Sequence, residues 1–302
     1  MTTKVFIDGE AGTTGLQIRD RLIRRDDIEL VQIDPALRKD AEARKAAFAA
    51  ADVAILCLPD QAAIEAVELS KDLDVRIIDA STAHRVNPDW AYGLPELSAD
   101  QEAQIKSARY VANCGCYATG AIVLLAPLIK AGLLPADASV NINAISGYTG
   151  GGKGLIGEYE EGSAPDAFLY ATGMSHKHLP EIMNFTGLTA KPIFVPSVGN
   201  FAQGMAVSIP LHLADLPGDV SMGDVHAALA AAYAGAAHVK VADLADQDSR
   251  IDPTANNDTN DLTVYVRGNA EDGRVVLVAV LDNLGKGASG AAVQNLDLMI
   301  SA

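Results

Sequence analysis

The sequence predicts an α/β chain of two domains, and three patterns carry that expectation. Strand and helix signals alternate through the first third of the chain. After residue 137 β-rich runs follow one another without a helix between each pair. A glycine-spaced turn joins the first strand to the first helix. At 302 residues the chain has room for two domains of ordinary size.

"KVFID" (4–8) is a short β-branched and aromatic run, and "LQIRDRLIRR" (16–25) has helical spacing. "IELVQID" (28–34), "DVAILCLP" (52–59) and "VRIIDAS" (75–81) read as strands. The Ala-rich "DAEARKAAFAAA" (40–51) and "DQAAIEAVELSKD" (60–72) read as helices. Such alternation implies a parallel, doubly wound sheet. Further on, "SVNINAISG" (139–147), "KPIFVPSVG" (191–199), "GMAVSIPLH" (204–212), "DLTVYVRG" (261–268) and "RVVLVAVLDN" (274–283) predict a mostly antiparallel sheet with helices on one face. The tail returns to helix, with Ala288, Ala291, Ala292, Asn295 and Leu298 along one side. The expected division is therefore a Rossmann-type dinucleotide-binding domain over 1–115, completed by a helix over 284–302, and an α+β domain over 116–283.

Composition removes several classes of function. With 49% hydrophobic and 21% charged residues, the chain is expected to be globular. A net charge of −16 repels nucleic acid and anionic membrane, so any anionic ligand needs a locally positive pocket. No apolar run reaches the length of a membrane span, no signal peptide is visible, and three cysteines cannot all pair. A cytoplasmic protein without a metal site is the expectation.

Gly9, Gly12 and Gly15, with Thr13 and Thr14 among them, lie where a dinucleotide fold places its pyrophosphate turn. Bare glycines permit close approach, and the following helix offers unpaired N–H groups and a partial positive charge. Asp34, read as the end of the second strand, would favour NAD through the ribose 2′-hydroxyl. Arg38 and Lys39 follow within a turn, suit a 2′-phosphate and tip the expectation towards NADP.

Cys114 and Cys116 flank Gly115. A disulfide between them would close a strained, easily reduced loop. A zinc site with His176 and His178 would have an unusual spacing, and two inert buried thiols are a further possibility. The reading that uses the local pattern is a nucleophile. "CYATGAIVLLAPLIKAGLL" predicts a helix starting at or just after Cys116, whose dipole favours the thiolate, and Gly115 permits a sharp turn before it. Cys114 lacks that placement. A histidine is the candidate base.

The signature N-x-G-C-Y-x-T-G (113–120) resembles that of the N-acetyl-γ-glutamyl-phosphate reductases, NADPH enzymes of arginine biosynthesis. "DASTAHR" (79–85), "YGLPEL" (92–97), "SGYTGGGK" (146–153), "HKHLPEI" (176–182) and "DNLGKGASGAAVQN" (282–295) resemble blocks of that family, in its order. Cys114 stands where the family usually has proline, and Gln203 where its longer form tends to have arginine.

The resemblance implies a Cys116 thioester, formed from an acyl phosphate and then reduced by NADPH. It also implies His178 as base, with His176 orienting substrate, and a homo-oligomer, dimer or tetramer. Asn113 belongs to the implied substrate contacts. Arg85, at the carboxyl end of a strand, is the candidate phosphate ligand by analogy with related semialdehyde dehydrogenases. Ser146, Gly147, Gly150 and Gly151 would line nicotinamide or substrate. Asn283, Gly285, Lys286 and Gly287 would close over the cofactor. Aspartate-semialdehyde dehydrogenase, which lacks the "YGLPEL" and "GKGASGAAVQN" blocks, and a non-catalytic dinucleotide-binding regulator are the competing readings.

Overall fold

The computed structural model describes residues 2–246 and 248–301. The chain divides into two compact units, Met1–Gly115 with Ala288–Ala302, and Cys116–Gly287.

In the first unit β1 (Thr3–Asp8), α1 (Thr13–Leu22), β2 (Ile28–Val31), α2 (Ala41–Ala50), β3 (Val53–Leu56), α3 (Asp60–Ser70) and β4 (Arg76–Asp79) alternate as the sequence predicts. β5 (Ala91–Gly93), α4 (Gln101–Ser107) and β6 (Tyr110–Asn113) extend the pattern. Among the described residues these strands form a six-stranded parallel sheet in the order β2-β1-β3-β4-β6-β5. Alternate residues of a strand face opposite ways. Val5 and Ile7 thus pack with Ile18 and Leu22 of α1, Ile105 of α4 and Leu296 of the C-terminal helix. Phe6 packs with Phe48 of α2 and Ala63 and Ala66 of α3.

The C-terminal helix, Gly290–Ile300, buries Ala291, Ala292, Asn295, Leu296 and Met299. This stripe is rotated from the expected one. Ala288 falls in a π-turn before the helix, and Leu298 sits half-buried at the stripe's edge. Small residues let the helix approach closely, and Asn295 Nδ2 donates to the Gly93 carbonyl at 3.0 Å. A Cβ on Gly93 would lie 2.4 Å from that nitrogen.

The second unit contains α5 (Cys116–Lys130), β7 (Asn141–Gly147), α6 (Gly152–Glu160), β8 (Ala167–Leu169), α7 (Leu179–Thr186), β9 (Ile193–Gly199) and β10 (Met205–His212). α8 (Met222–Ala232), β11 (Val239–Val241), β12 (Leu262–Asn269) and β13 (Arg274–Leu281) follow. Among the described residues its seven strands run β11-β12-β13-β10-β7-β9-β8. The sheet is mixed: β7 with β9 and β11 with β12 are parallel, and the other neighbours are antiparallel. The connection from β7 to β9 carries α6, β8 and α7, which is long enough for a parallel crossover.

α5 is apolar on every side and buries Tyr117 through Leu125. Gly120 lets it close on β10, since a Cβ there would lie 2.7 Å from Val207 Cγ2. Pro127 inside the helix has no N–H for the carbonyl of Val123. The Tyr233 hydroxyl donates to that carbonyl instead, at 2.8 Å.

Candidate active site

In the first unit the glycine turn connects β1 to α1, with Gly12 at the helix start. Gly9 has φ +88°, and a Cβ on it would lie 2.4 Å from the Cys57 carbonyl oxygen. A Cβ on Gly15 would lie 2.7 Å from the Gly9 carbonyl, so α1 sits directly on the turn. Thr13 and Thr14 open α1, whose first turn carries no acidic residue. This cradle of bare backbone and helix N-terminus fits a dinucleotide pyrophosphate.

β2 ends at Val31, so Asp34 lies three residues beyond the strand that was expected to carry it. Its carboxylate accepts from Ala36 N at 2.9 Å and shapes the turn. Arg38 and Lys39 are exposed in that turn, and Asp40 caps α2.

Arg85 is buried, with Nε donating to the Asn113 carbonyl at 3.1 Å and Nη2 to the Ala80 carbonyl at 3.2 Å. It is thereby fixed at the carboxyl ends of β4 and β6. Asn113 differs from expectation. Its side chain is 1% exposed, donates to the Ala288 carbonyl at 2.9 Å and accepts from Asn295 at 3.0 Å. It joins β6 to the C-terminal helix rather than opening to a ligand.

Sequence reasoning missed a stack immediately before Arg85. His84 Nδ1 lies 2.6 Å from the fully buried carboxylate of Asp79, and its ring stacks on Trp90 with centroids 4.1 Å apart. Trp90 stacks in turn on Tyr110 at 4.9 Å. The His-Arg pair in "DASTAHR" was the available signal, but Trp90 stands six residues beyond His84 in a loop and Tyr110 on β6.

In the second unit Cys116 begins α5 and is half-buried. It lines a cavity of about 350 Å³ together with Tyr117, Ser146, Gly147, Tyr170 and His176. Gly150, Gly151, Leu155, Phe168, Lys177 and Val198 complete the wall. Gly287 backs Cys116, since a Cβ there would lie 2.7 Å from Cys116 Cβ. All three cysteines are thiols: Cys114 is buried, and burial aided by Asp79 and Asp8 pushes the Cys57 thiol up to about 12. Among the described residues no cluster of three or more His, Cys, Asp or Glu could hold a metal.

The two histidines converge, with rings 4.7 Å apart and each about 6 Å from the ring of Tyr117. His176 lines the cavity. The His178 N–H donates to His176 Nδ1 at 3.1 Å, so that nitrogen is an acceptor and the neutral ring carries its proton on Nε2. Burial, with a smaller contribution from Lys177, pushes His176 down to about 4. His178 is buried at the start of α7, with Nε2 3.9 Å from the carboxylate of Glu181, itself 1% exposed. Glu181, the acid of the "HLPE" block, was not singled out from sequence.

The glycine turn after β7 is pinned from inside. Asn283 Oδ1 accepts from Gly204 N at 2.8 Å, and its Nδ2 donates to Thr149 Oγ1 at 3.1 Å. A Cβ on Gly285 would lie 2.2 Å from the Thr259 carbonyl, and Lys286 is fully buried. These three residues, expected at the cofactor, are built into the interior of the unit. Gln203 donates to the buried carboxylate of Asp282 at 2.8 Å, where an arginine would have added a second buried charge.

A thiol at a helix start, a neutral histidine in its cavity, and a histidine–carboxylate pair behind it are the parts of a thiol-dependent acyl-transfer site. Together with a dinucleotide fold they define the semialdehyde dehydrogenase class. Comparison with known families agrees. Residues 31–105 match the semialdehyde dehydrogenase NAD-binding domain, and residues 116–283 match its dimerisation domain.

Over 306 residues the chain is 52% identical to N-acetyl-gamma-glutamyl-phosphate reductase 2 of Pseudomonas putida, covering 100% of this chain and 98% of that protein. It is 52% identical over 308 residues to N-acetyl-gamma-glutamyl-phosphate reductase of Brucella ovis, covering 99% of each. The chain belongs to the N-acetyl-γ-glutamyl-phosphate reductase family. Its fold is also that of aspartate semialdehyde dehydrogenase II of Vibrio cholerae in complex with ASA, with a TM-score of 0.74 at 15% identity over 100% of this chain and 99% of the other. The NADP-bound aspartate semialdehyde dehydrogenase of Candida albicans gives 0.72 at 16% identity, covering 99% of each chain.

Proposed function

We propose that the protein reduces N-acetyl-γ-glutamyl phosphate to N-acetylglutamate 5-semialdehyde and phosphate, with NADPH as reductant, as a step of arginine biosynthesis. The observation that carries this reading is Cys116 at the start of α5, in a cavity it shares with His176. The Cys116 thiolate attacks the acyl carbon and expels phosphate, leaving a thioester. When bound, the nicotinamide supplies hydride to that carbonyl. The resulting thiohemiacetal collapses to aldehyde and regenerates Cys116.

His178 holds the thiol proton, oriented by Glu181 in the manner of a nucleophile–base–carboxylate set. His176, neutral and donating from Nε2, orients the substrate oxygen. Arg85 receives the leaving phosphate. The turn from Gly9 to Gly15 cradles the dinucleotide, and the exposed Arg38 and Lys39 recognise its 2′-phosphate. The chain assembles as a homo-oligomer through the unit matched by the dimerisation model. It works in the cytoplasm, where its cysteines stay as thiols. No helix among the described residues is long and apolar enough to cross a membrane.

The test is oxidation of N-acetylglutamate semialdehyde by the purified protein with NADP and phosphate, beside aspartate semialdehyde. Phosphate-dependent turnover of the N-acetylated aldehyde, with aspartate semialdehyde far poorer, is expected. The reverse preference would restore the competing aspartate reading, and no turnover of either would favour a dinucleotide-binding regulator.

A further inference from the structure

The cavity around Cys116 has a charge pattern that the thioester chemistry does not require. Of its lining side chains among the described residues, Lys177 is the one lysine, arginine or carboxylate. His176 is pushed down to about 4, and burial raises both Tyr117 and Tyr170, so those rings are neutral. In a chain of net charge −16, a cavity whose one such charge is a cation is built for an anion. Opposite chemistry fills the rest of the wall, where Leu155, Phe168 and Val198 offer apolar surface.

Lys177 itself is exposed at the edge of this cavity. It lies in sequence between two histidines whose rings pack 4.7 Å apart, and the loop leading to it is strained. Ala171 and Met174 have φ of 50° and 55°, a left-handed conformation that non-glycine residues keep only when the surroundings impose it.

We propose that Lys177 binds the α-carboxylate of the substrate while Leu155, Phe168 and Val198 receive its N-acyl group. The cavity thereby selects an N-acylated amino acid with a free α-carboxylate. The inference rests on the acyl-phosphate reading of the site and adds to it the group that distinguishes one aldehyde from another. A carboxylate leaving water for an apolar cavity needs a paired cation, and Lys177 is the cation present.

The test compares two aldehydes on the intact enzyme with NADP and phosphate: N-acetylglutamate semialdehyde, and 4-acetamidobutanal, which lacks only the α-carboxylate. Lys177→Met should raise the KM for the first by roughly tenfold or more, the scale of a charge-assisted hydrogen bond at a partly solvated site. The KM values for phosphate and NADP should stay in place. The parent should handle 4-acetamidobutanal about as poorly as Lys177→Met handles the natural aldehyde, and the substitution should add no further loss on it. Lys177→Arg should recover most of the affinity. Equal losses on both aldehydes would overturn the proposal, and so would a rise in the phosphate KM instead, because Lys177 would then be reading phosphate. A parent inactive on both aldehydes would overturn the functional reading and this inference with it.

Discussion

At the scale of single residues, His176 should give the protein a pH dependence of its own. His176 is pushed down to about 4 from its ordinary 6.5, and the cause is burial. The folded protein therefore resists protonating this ring, while the unfolded chain takes the proton below 6.5. The unfolded state binds more protons in that window, so His176 costs stability as pH falls from 6.5 towards 4 and nothing above it. His176→Asn should flatten the acid-side fall of the urea midpoint. An unchanged slope would mean that His176 does not stay neutral in the fold.

His178 is assigned the thiol proton. His178→Ala should move iodoacetamide alkylation of Cys116 to higher pH and slow catalysis by roughly a hundredfold or more. If His176→Asn moves the alkylation profile and His178→Ala does not, the two roles must be exchanged. The place of Cys116 at a helix start was legible in the sequence because its cue is local, a glycine before a helical apolar run. Glu181 and the Asp79–His84–Trp90 stack were not. Their partners lie within six residues in the chain, but a lone acid or tryptophan carries no spacing signal.

At the scale of elements, long β-branched runs announced themselves, as "RVVLVAVLDN" did for β13. The strands that escaped, β5, β8 and β11, are three residues each, too short for alternation to register. The four-residue β6 is set by its parallel pairing with β4 and β5, which no local pattern announces. The second sheet was read as mostly antiparallel, and four of its six strand pairings are. The two parallel pairings were not foreseen, because strand direction depends on the crossover and α6 was not recognised.

α5 shows how a sequence anomaly is absorbed by tertiary structure. Pro127 deprives the Val123 carbonyl of its helical donor, and Tyr233 supplies one from outside the helix. Tyr233→Phe should destabilise the protein by about 1–3 kcal/mol, the cost of stranding a buried acceptor. Urea denaturation measures it. A Pro127→Ala, Tyr233→Phe double variant should recover part of that loss, because alanine restores the helical donor. If Tyr233→Phe is neutral, the hydroxyl bond is not what satisfies Val123.

At the scale of the whole molecule, charge sets the terms for cofactor choice. A chain of −16 repels the extra phosphate of NADPH everywhere except where cations gather, and Arg38 with Lys39 forms such a place beyond β2. Arg38→Ala should weaken NADPH binding by about 1–2 kcal/mol and NADH binding much less. Equal losses, or a parent that prefers NADH, would make Asp34 the ribose reader. The two-unit organisation was legible because its signal, alternation giving way to strand runs, extends over the whole chain. The stripe on the returning helix was read a little out of phase, since the π-turn over Gly285–Ser289 delays the helix start.

The proposed mechanism places the acyl group on Cys116, and acid-quenched mass spectrometry reads that directly. The intact protein is mixed with N-acetyl-γ-glutamyl phosphate without reductant, quenched and digested. An N-acetylglutamyl adduct is expected on Cys116, abolished in Cys116→Ser and kept in Cys114→Ala. An adduct on Cys114, or turnover by Cys116→Ser at the parent's rate, would contradict it.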